Sequence, residues 1–494
     1  MKSNTKLTSL GIAIGAVLMP TGIHAAQPMP ASMEEMWKII QQQQKEIETL
    51  KAKAGQNEAL RQEVKELKAN QEETKAAAPP AQTAGTPATT AKGKAAKSES
   101  ERKTDILASE VEKLKTQLHI PDKREYKSQY GFGPAASEVY RVNRGLSIGG
   151  YGEAIYTNYV ADKGNAKDSA DLERAVLYVG YKFNDWIILN NEFEFEHATT
   201  GEGSEEKGEV SVEFSQLDFL LDSRANIRAG LMLVPMGFIN EIHEPTTFHG
   251  NYRPSVERYI IPTTWREMGA GIFGEILPGL QYRMYAVNGL NAQEFESSGI
   301  RGGRQGGSLA LAENWAYTGR LDYTPSFVPG LLVGASTFVG DAGQGELYAG
   351  QKVSALTQLY EGHVEWRYKG LEFRALGAYG NIGNAAILSA AKGETIGSSN
   401  YGWYTEAAYD VMPWLWKDST QYLAPFFRYE RYNTLATVGA GLDSYDGLYD
   451  RWIYQAGLTY KPIQNISVKA DYRNISSAGG ALPDEFNLGV GFIY

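Results

Sequence analysis

Between residues 145 and 494, ionisable residues recur at alternate positions of short apolar segments. The cations are Arg174, Lys182, Arg228, Arg283, Arg320, Arg367, Arg374, Arg428, Lys469 and Arg473. The acids are Glu192, Glu194, Glu196, Asp218, Asp322, Glu361, Glu365, Glu372, Glu406, Glu430 and Asp471. A period of two places each set on one face of a strand. Guanidinium groups on such a face stay charged and fork onto oxyanions, so a wet wall of them selects anions. The same arginines can instead pair with acids across strands, and the sequence leaves both readings open. The run Asn190, Glu192, Glu194, Glu196 is a carboxylate ladder that favours cations locally.

A second concentration lies in residues 235–266. It carries Arg253, Arg258 and Arg266 amid Met236, Phe238, Ile239, Phe248, Ile260 and Trp265. His243 and His249 sit near Glu241 and Glu244, but the irregular spacing argues against a metal site. No Gly-x-Ser-x-Gly elbow, phosphate loop or Ser/His spacing points to catalysis, so no catalytic residue, metal or cofactor is expected and the chain does not read as an enzyme. The sequence has no cysteine, which excludes disulfides, thiolate metal sites, c-type haem attachment and a lipidated N-terminal cysteine.

These residues must be held by strands. Alternating segments are centred near residues 152, 178, 190, 216, 230, 272, 284, 319, 335, 362, 375, 406, 427, 456, 469 and 490. Their connections alternate short and long. The short ones include Asn184-Asp185, Pro278-Gly279, Lys369-Gly370 and the stretch from Pro413 to Ser419. That pattern predicts an all-β membrane protein, a 16-stranded antiparallel transmembrane β-barrel. Leu177, Val179, Phe373 and Val468 should meet lipid, while Arg174, Tyr178, Arg374 and Lys469 face the lumen. The 30 Tyr, 17 Phe and 9 Trp suffice for aromatic girdles at both interfaces. An even strand number leaves both barrel ends on the short-turn, periplasmic side. So charged an interior predicts water inside, and so apolar a loop as 235–266 should fold inward to narrow the pore, with Arg253, Arg258 and Arg266 at the constriction.

The remainder reads as appendage. Residues 1–26 form an export signal peptide, with Lys2 and Lys6 before an apolar run too short to span a bilayer. Residues 27–75 are a coiled-coil helix, with Met33, Met36, Ile40, Ile47 and Leu50 on its seam. Residues 76–103 are an Ala/Pro/Thr/Lys linker expected to be disordered. Residues 104–144 hold a short helix and a lead-in, and the barrel occupies 145–494. The extension lies in the periplasm, where it could trimerise the protein or touch peptidoglycan. The chain's formal net charge is -10, and because the tail before residue 145 is slightly basic the acidic excess falls on the barrel, which argues against nucleic-acid binding.

Four segments resemble the phosphate-selective porin O and P family. They are Ala286-Val287-Asn288-Gly289, Thr318-Gly319-Arg320-Leu321-Asp322-Tyr323-Thr324-Pro325, Pro425-Phe426-Phe427-Arg428-Tyr429-Glu430-Arg431-Tyr432 and Gly457-Leu458-Thr459-Tyr460-Lys461-Pro462. The resemblance spans most of 145–494. It implies a sixteen-stranded, homotrimeric channel in the bacterial outer membrane with an inward third loop. The long loop departs from the family's basic binding zone, with three Arg and no Lys, so phosphate selectivity is not carried over. The expectation is a porin for passive diffusion of small hydrophilic solutes, among them anions. The alternatives are a tether between outer membrane and cell wall, and a barrel sheath for a partner protein.

Overall fold

The computed structural model describes residues 126–199, 207–439, 441–442 and 447–494. The signal peptide, coiled coil, linker and short helix expected before residue 126 lie outside the described residues. The strands are β1 (Gly145–Ala161), β2 (Ser169–Lys182), β3 (Ile187–Glu196), β4 (Val210–Asp222), β5 (Ala225–Leu233), β6 (Arg266–Leu277), β7 (Leu280–Asn288) and β8 (Trp315–Tyr323). They continue as β9 (Leu331–Asp341), β10 (Leu356–Tyr368), β11 (Leu371–Ile382), β12 (Gly397–Tyr409), β13 (Tyr422–Val438), β14 (Asp450–Ile463), β15 (Ile466–Ser477) and β16 (Asp484–Ile493). Each expected centre falls inside one of them. Every strand pairs antiparallel with its chain neighbours, and β1 pairs with β16, Tyr151 opposite Ile493, so the sheet closes with no free edge.

The period of two decides what each face meets. Along β2, Arg174, Val176 and Tyr178 are buried, whereas Tyr181 points out and is exposed; a bulge at Glu173 reverses the phase, so Leu172 is exposed too. Along β16, Phe486, Leu488, Val490 and Phe492 are exposed and apolar, which is destabilising unless the solvent is lipid. Exposed rings gather towards both ends. Tyr181, Phe183, Trp186 and Tyr323 lie at the short-turn end, and Tyr156, Phe195, Trp315, Tyr360 and Trp403 at the other. This is a transmembrane barrel with aromatic girdles. No described helix is long and apolar enough to cross a membrane.

Two boundaries differ from expectation. The connection between β12 and β13 is not a tight turn but spans residues 410–421. It carries a helical turn, Met412–Leu415, and exposes Trp414, Leu415 and Trp416 at the short-turn end. Arg266 is not a loop residue. It opens β6 opposite Leu233, because the ladder with β5 extends that far.

Candidate functional site

The third long connection, residues 234–265, does fold inward, and it fills rather than narrows. Met236, Ile239, Val256, Ile260, Ile261 and Trp265 are almost wholly buried. They pack with wall residues Tyr285, Val287, Phe338, Leu359, Leu376, Tyr404 and Tyr432, all towards the long-loop end. Trp265 meets Phe338 at 4.5 Å between ring centroids. Leu290, Phe295 and Ile300 of the next long loop, and Tyr348 and Leu388 of later ones, complete this apolar core. Burying six such loop side chains stabilises the inserted state by on the order of 10 kcal/mol before entropy.

Polar anchors hold the rest of the loop, and they come from the wall cations. The Arg320 guanidinium donates to the Gly237 carbonyl. Lys461 donates to Thr246 O (2.8 Å), Arg374 to Thr247 O (3.0 Å), Arg428 to His249 O (2.7 Å) and Lys469 to Gly250 O (2.9 Å). Five strands thus grip one stretch of backbone by its carbonyls. Wall acids take the loop's amides: Asn251 N donates to Asp471 (2.8 Å) and Val256 N to Glu430 (3.2 Å). Gly489 leaves room for the loop; a Cβ there would lie 2.0 Å from Asn251 Oδ1.

The lead-in is a second filler. Phe132, Ala135, Ala136, Val139 and Tyr140 pack on Tyr151, Val176, Tyr178, Ile188 and Phe214 of the first four strands. Tyr140 OH donates to Asp218 (2.6 Å), and the Ala135 and Ala136 amides donate to Glu244 of the loop at 2.9 and 3.2 Å. Burial pushes the Glu244 carboxyl up to about 8, with those amides acting against it. Arg228 donates to the Tyr130 carbonyl at 3.1 Å and stacks on Phe132 and Phe273.

The expected wall residues all lie on the inner face, and most are paired. Arg174 meets Glu153 (2.8 Å) and Glu194 (3.0 Å), Arg228 meets Asp218 (2.8 Å), and Arg428 meets Glu406 (2.6 Å). Arg374 pairs with Glu365 directly across the ladder. Arg283 and Arg320 stand opposite each other, an arrangement that repels. Asp322 bridges both, and Glu241 of the loop reaches them at 3.3 and 3.7 Å. Lys182 is half-buried at the short-turn end of β2. Arg266 meets Glu213 (3.2 Å), Arg258 is exposed, and Arg253 is partly buried in the loop. Many of these charges thus have partners within the protein. Ion pairs and loop carbonyls satisfy them in a largely occupied lumen.

His243 and His249 diverge. His249 contacts Thr459 (3.0 Å) and Glu372 (3.6 Å) and stacks on Phe426. His243 points between Glu192 and Glu213. Burial disfavours its charged form, but the two carboxylates outweigh that and raise the imidazole to about 10.

A cavity of about 780 Å³ remains at the short-turn end, with Gly279, Thr324, Thr420 and Gln464 of the turn regions in its wall. Its charged lining is Lys127, Arg283, Arg320, Arg367, Arg374 and Lys461 against Glu241, Asp322, Glu365 and Glu372. Of the residues expected to face the lumen, Arg283, Arg320, Arg367, Arg374, Asp322, Glu365 and Glu372 line it. Sequence reasoning missed Lys461 and the lead-in. The apolar positions Phe132, Val139 and Tyr140 were the available signal for the latter.

An uncharacterized protein of Aquifex aeolicus (strain VF5) is 38% identical to this chain over 372 residues, which cover 73% of the chain and 82% of the relative. The chain belongs to that protein's family. No family model matches the sequence. Among solved structures, a loop-deletion mutant of OmpT, an outer membrane protein of Vibrio cholerae, is similar at TM-score 0.47 and 12% identity, covering 72% of this chain and all of that one. OmpF of Salmonella typhi in complex with daunomycin is similar at TM-score 0.47 and 13% identity, covering 71% and 98%.

Proposed function

We propose that the protein is an outer-membrane channel for small hydrophilic solutes, with small anions preferred, and that residues 234–265 are its barrier. The observation that carries this reading is the polar cavity inside a closed, lipid-facing barrel, with more cationic than anionic side chains in its lining. The wall binds the loop through individual hydrogen bonds that a displacement can exchange for water. Phosphate is one anion such a lining accommodates, and nothing in it singles phosphate out. A homotrimer is part of this reading, with the coiled coil expected at residues 27–75 joining the three copies.

The test is planar-bilayer recording with ion substitution. Intermittent conductance with reversal potentials biased to anions is the expected result. A second reading has its own support, since the apolar core at the long-loop end blocks that half of the lumen. A barrel silent under every condition, retained on peptidoglycan by its extension, would replace the channel with a cell-wall tether.

A further inference from the structure

We propose that His243, Glu192 and Glu213 form a buried site for a divalent transition-metal ion of the zinc type, clasping the inserted loop to β3 and β4.

The imidazole nitrogen stands from each carboxylate oxygen as such an ion requires, and all three ligand atoms lie within 4.8 Å of one another. His243 Nε2 is 3.3 Å from Glu192 Oε1 and 3.2 Å from Glu213 Oε2. An ion about 2.1 Å from each of two ligands separates them by about 3.0–3.4 Å in octahedral or tetrahedral geometry. One imidazole and two carboxylates are a donor set suited to zinc, manganese or ferrous iron.

The imidazole is turned for coordination. Its Nδ1 lies 3.0 Å from the Asn240 carbonyl oxygen. A carbonyl cannot donate, so Nδ1 carries a proton, and on taking a metal ion Nε2 releases its own proton and offers the ion its lone pair while Nδ1 keeps this bond. That is the outer hydrogen bond characteristic of a metal-bound histidine. Glu213 is held in the same way, with its other oxygen accepting from Arg266 at 3.2 Å.

Two further observations point to a missing cation. Tyr151, 1% exposed, stands edge-on to the His243 ring at 5.8 Å, and its hydroxyl faces Glu192 without a closely aligned hydrogen bond. Glu192 Oε2 is buried and equally without one. Without a charge on His243, the local carboxylates outnumber the cations. Buried Glu192, Glu194 and Glu213 are answered by Arg174 and Arg266, and Arg174 is shared with Glu153 and Glu173.

The experiment uses the tag-free full-length protein in detergent, stripped with a chelator and titrated calorimetrically with Zn²⁺. Uptake should include one tight equivalent per chain. The pair Glu192→Gln and Glu213→Gln should remove that equivalent or weaken it at least 100-fold. His197→Ala should leave it in place, which separates it from the half-buried group Asp171, Glu173 and His197. Heat-modifiable migration checks that each variant folds. Should the carboxamide variants fail to fold, X-ray absorption of the zinc-loaded wild type decides. A shell with one imidazole and oxygen donors supports the site. No stoichiometric uptake, undiminished uptake in a folded double variant, or a shell without nitrogen overturns it.

Discussion

Glu241→Gln is the sharpest probe of the barrier. The substitution keeps the shape of the side chain and removes its charge. In the structure that charge sits between Arg283 and Arg320, at 3.3 and 3.7 Å, and it is the loop's own contribution to a wall position where two cations face each other. Asp322 remains to both arginines, so the wall stays paired while the loop loses its share. Two buried charged contacts of this kind are worth about 2–3 kcal/mol together. At about 1.4 kcal/mol per decade, the ratio of seated to displaced loop should fall about 30- to 140-fold. Single-channel recording reads that ratio as open fraction, which should rise by the same factor in a protein that still shows heat-modifiable migration. An open fraction equal to that of the wild type, in a folded variant, would show that the loop is not the barrier or that Glu241 does not seat it.

Other perturbations test different contacts. Gly489→Val places bulk 2.0 Å from Asn251 Oδ1, an overpacking of about 1–3 kcal/mol, and should raise conductance without unfolding the barrel. A Cβ on Gly402 would lie 3.0 Å from Val256 Cγ1, so the pair Val256→Cys and Gly402→Cys should form a disulfide in a chain with no other cysteine. That staple should suppress conductance until a reductant is added. Arg367→Gln with Lys461→Gln removes two cations from the cavity and should move the reversal potential towards cation preference, and an unmoved potential would exclude them from selectivity. If the clasp at His243 and the channel both hold, a chelator should raise the open fraction of the wild type and leave the Glu192→Gln, Glu213→Gln variant unchanged.

The strands were legible because lipid on one side and a packed, polar interior on the other impose a strict period of two. Even β16, with Phe486, Leu488, Val490 and Phe492 exposed, could be read from its residues alone. The inward course of residues 234–265 was legible too, since no exposed loop carries that much apolar surface. The partners of the cations were not. Arg320, Arg374, Arg428, Lys461 and Lys469 all donate to backbone carbonyls, and a carbonyl has no signature in a sequence. The lead-in was missed for a related reason. Phe132, Val139 and Tyr140 follow neither a helical nor a strand period over so short a segment. The cluster at His243 joins three separate segments of chain, which no local spacing reveals.

The order of the chain gives the inserted loop a further meaning. Residues 234–265 precede β8, β11, β13, β14 and β15, the strands whose cations seize their carbonyls. The seam between β1 and β16 joins the first strand to the last. A wall assembled in chain order therefore wraps around a filling that is made before it, like staves set about a core. Threading a finished cylinder would require carrying the polar stretch 237–251 past the apolar side chains of the long-loop end, a route that chain order avoids.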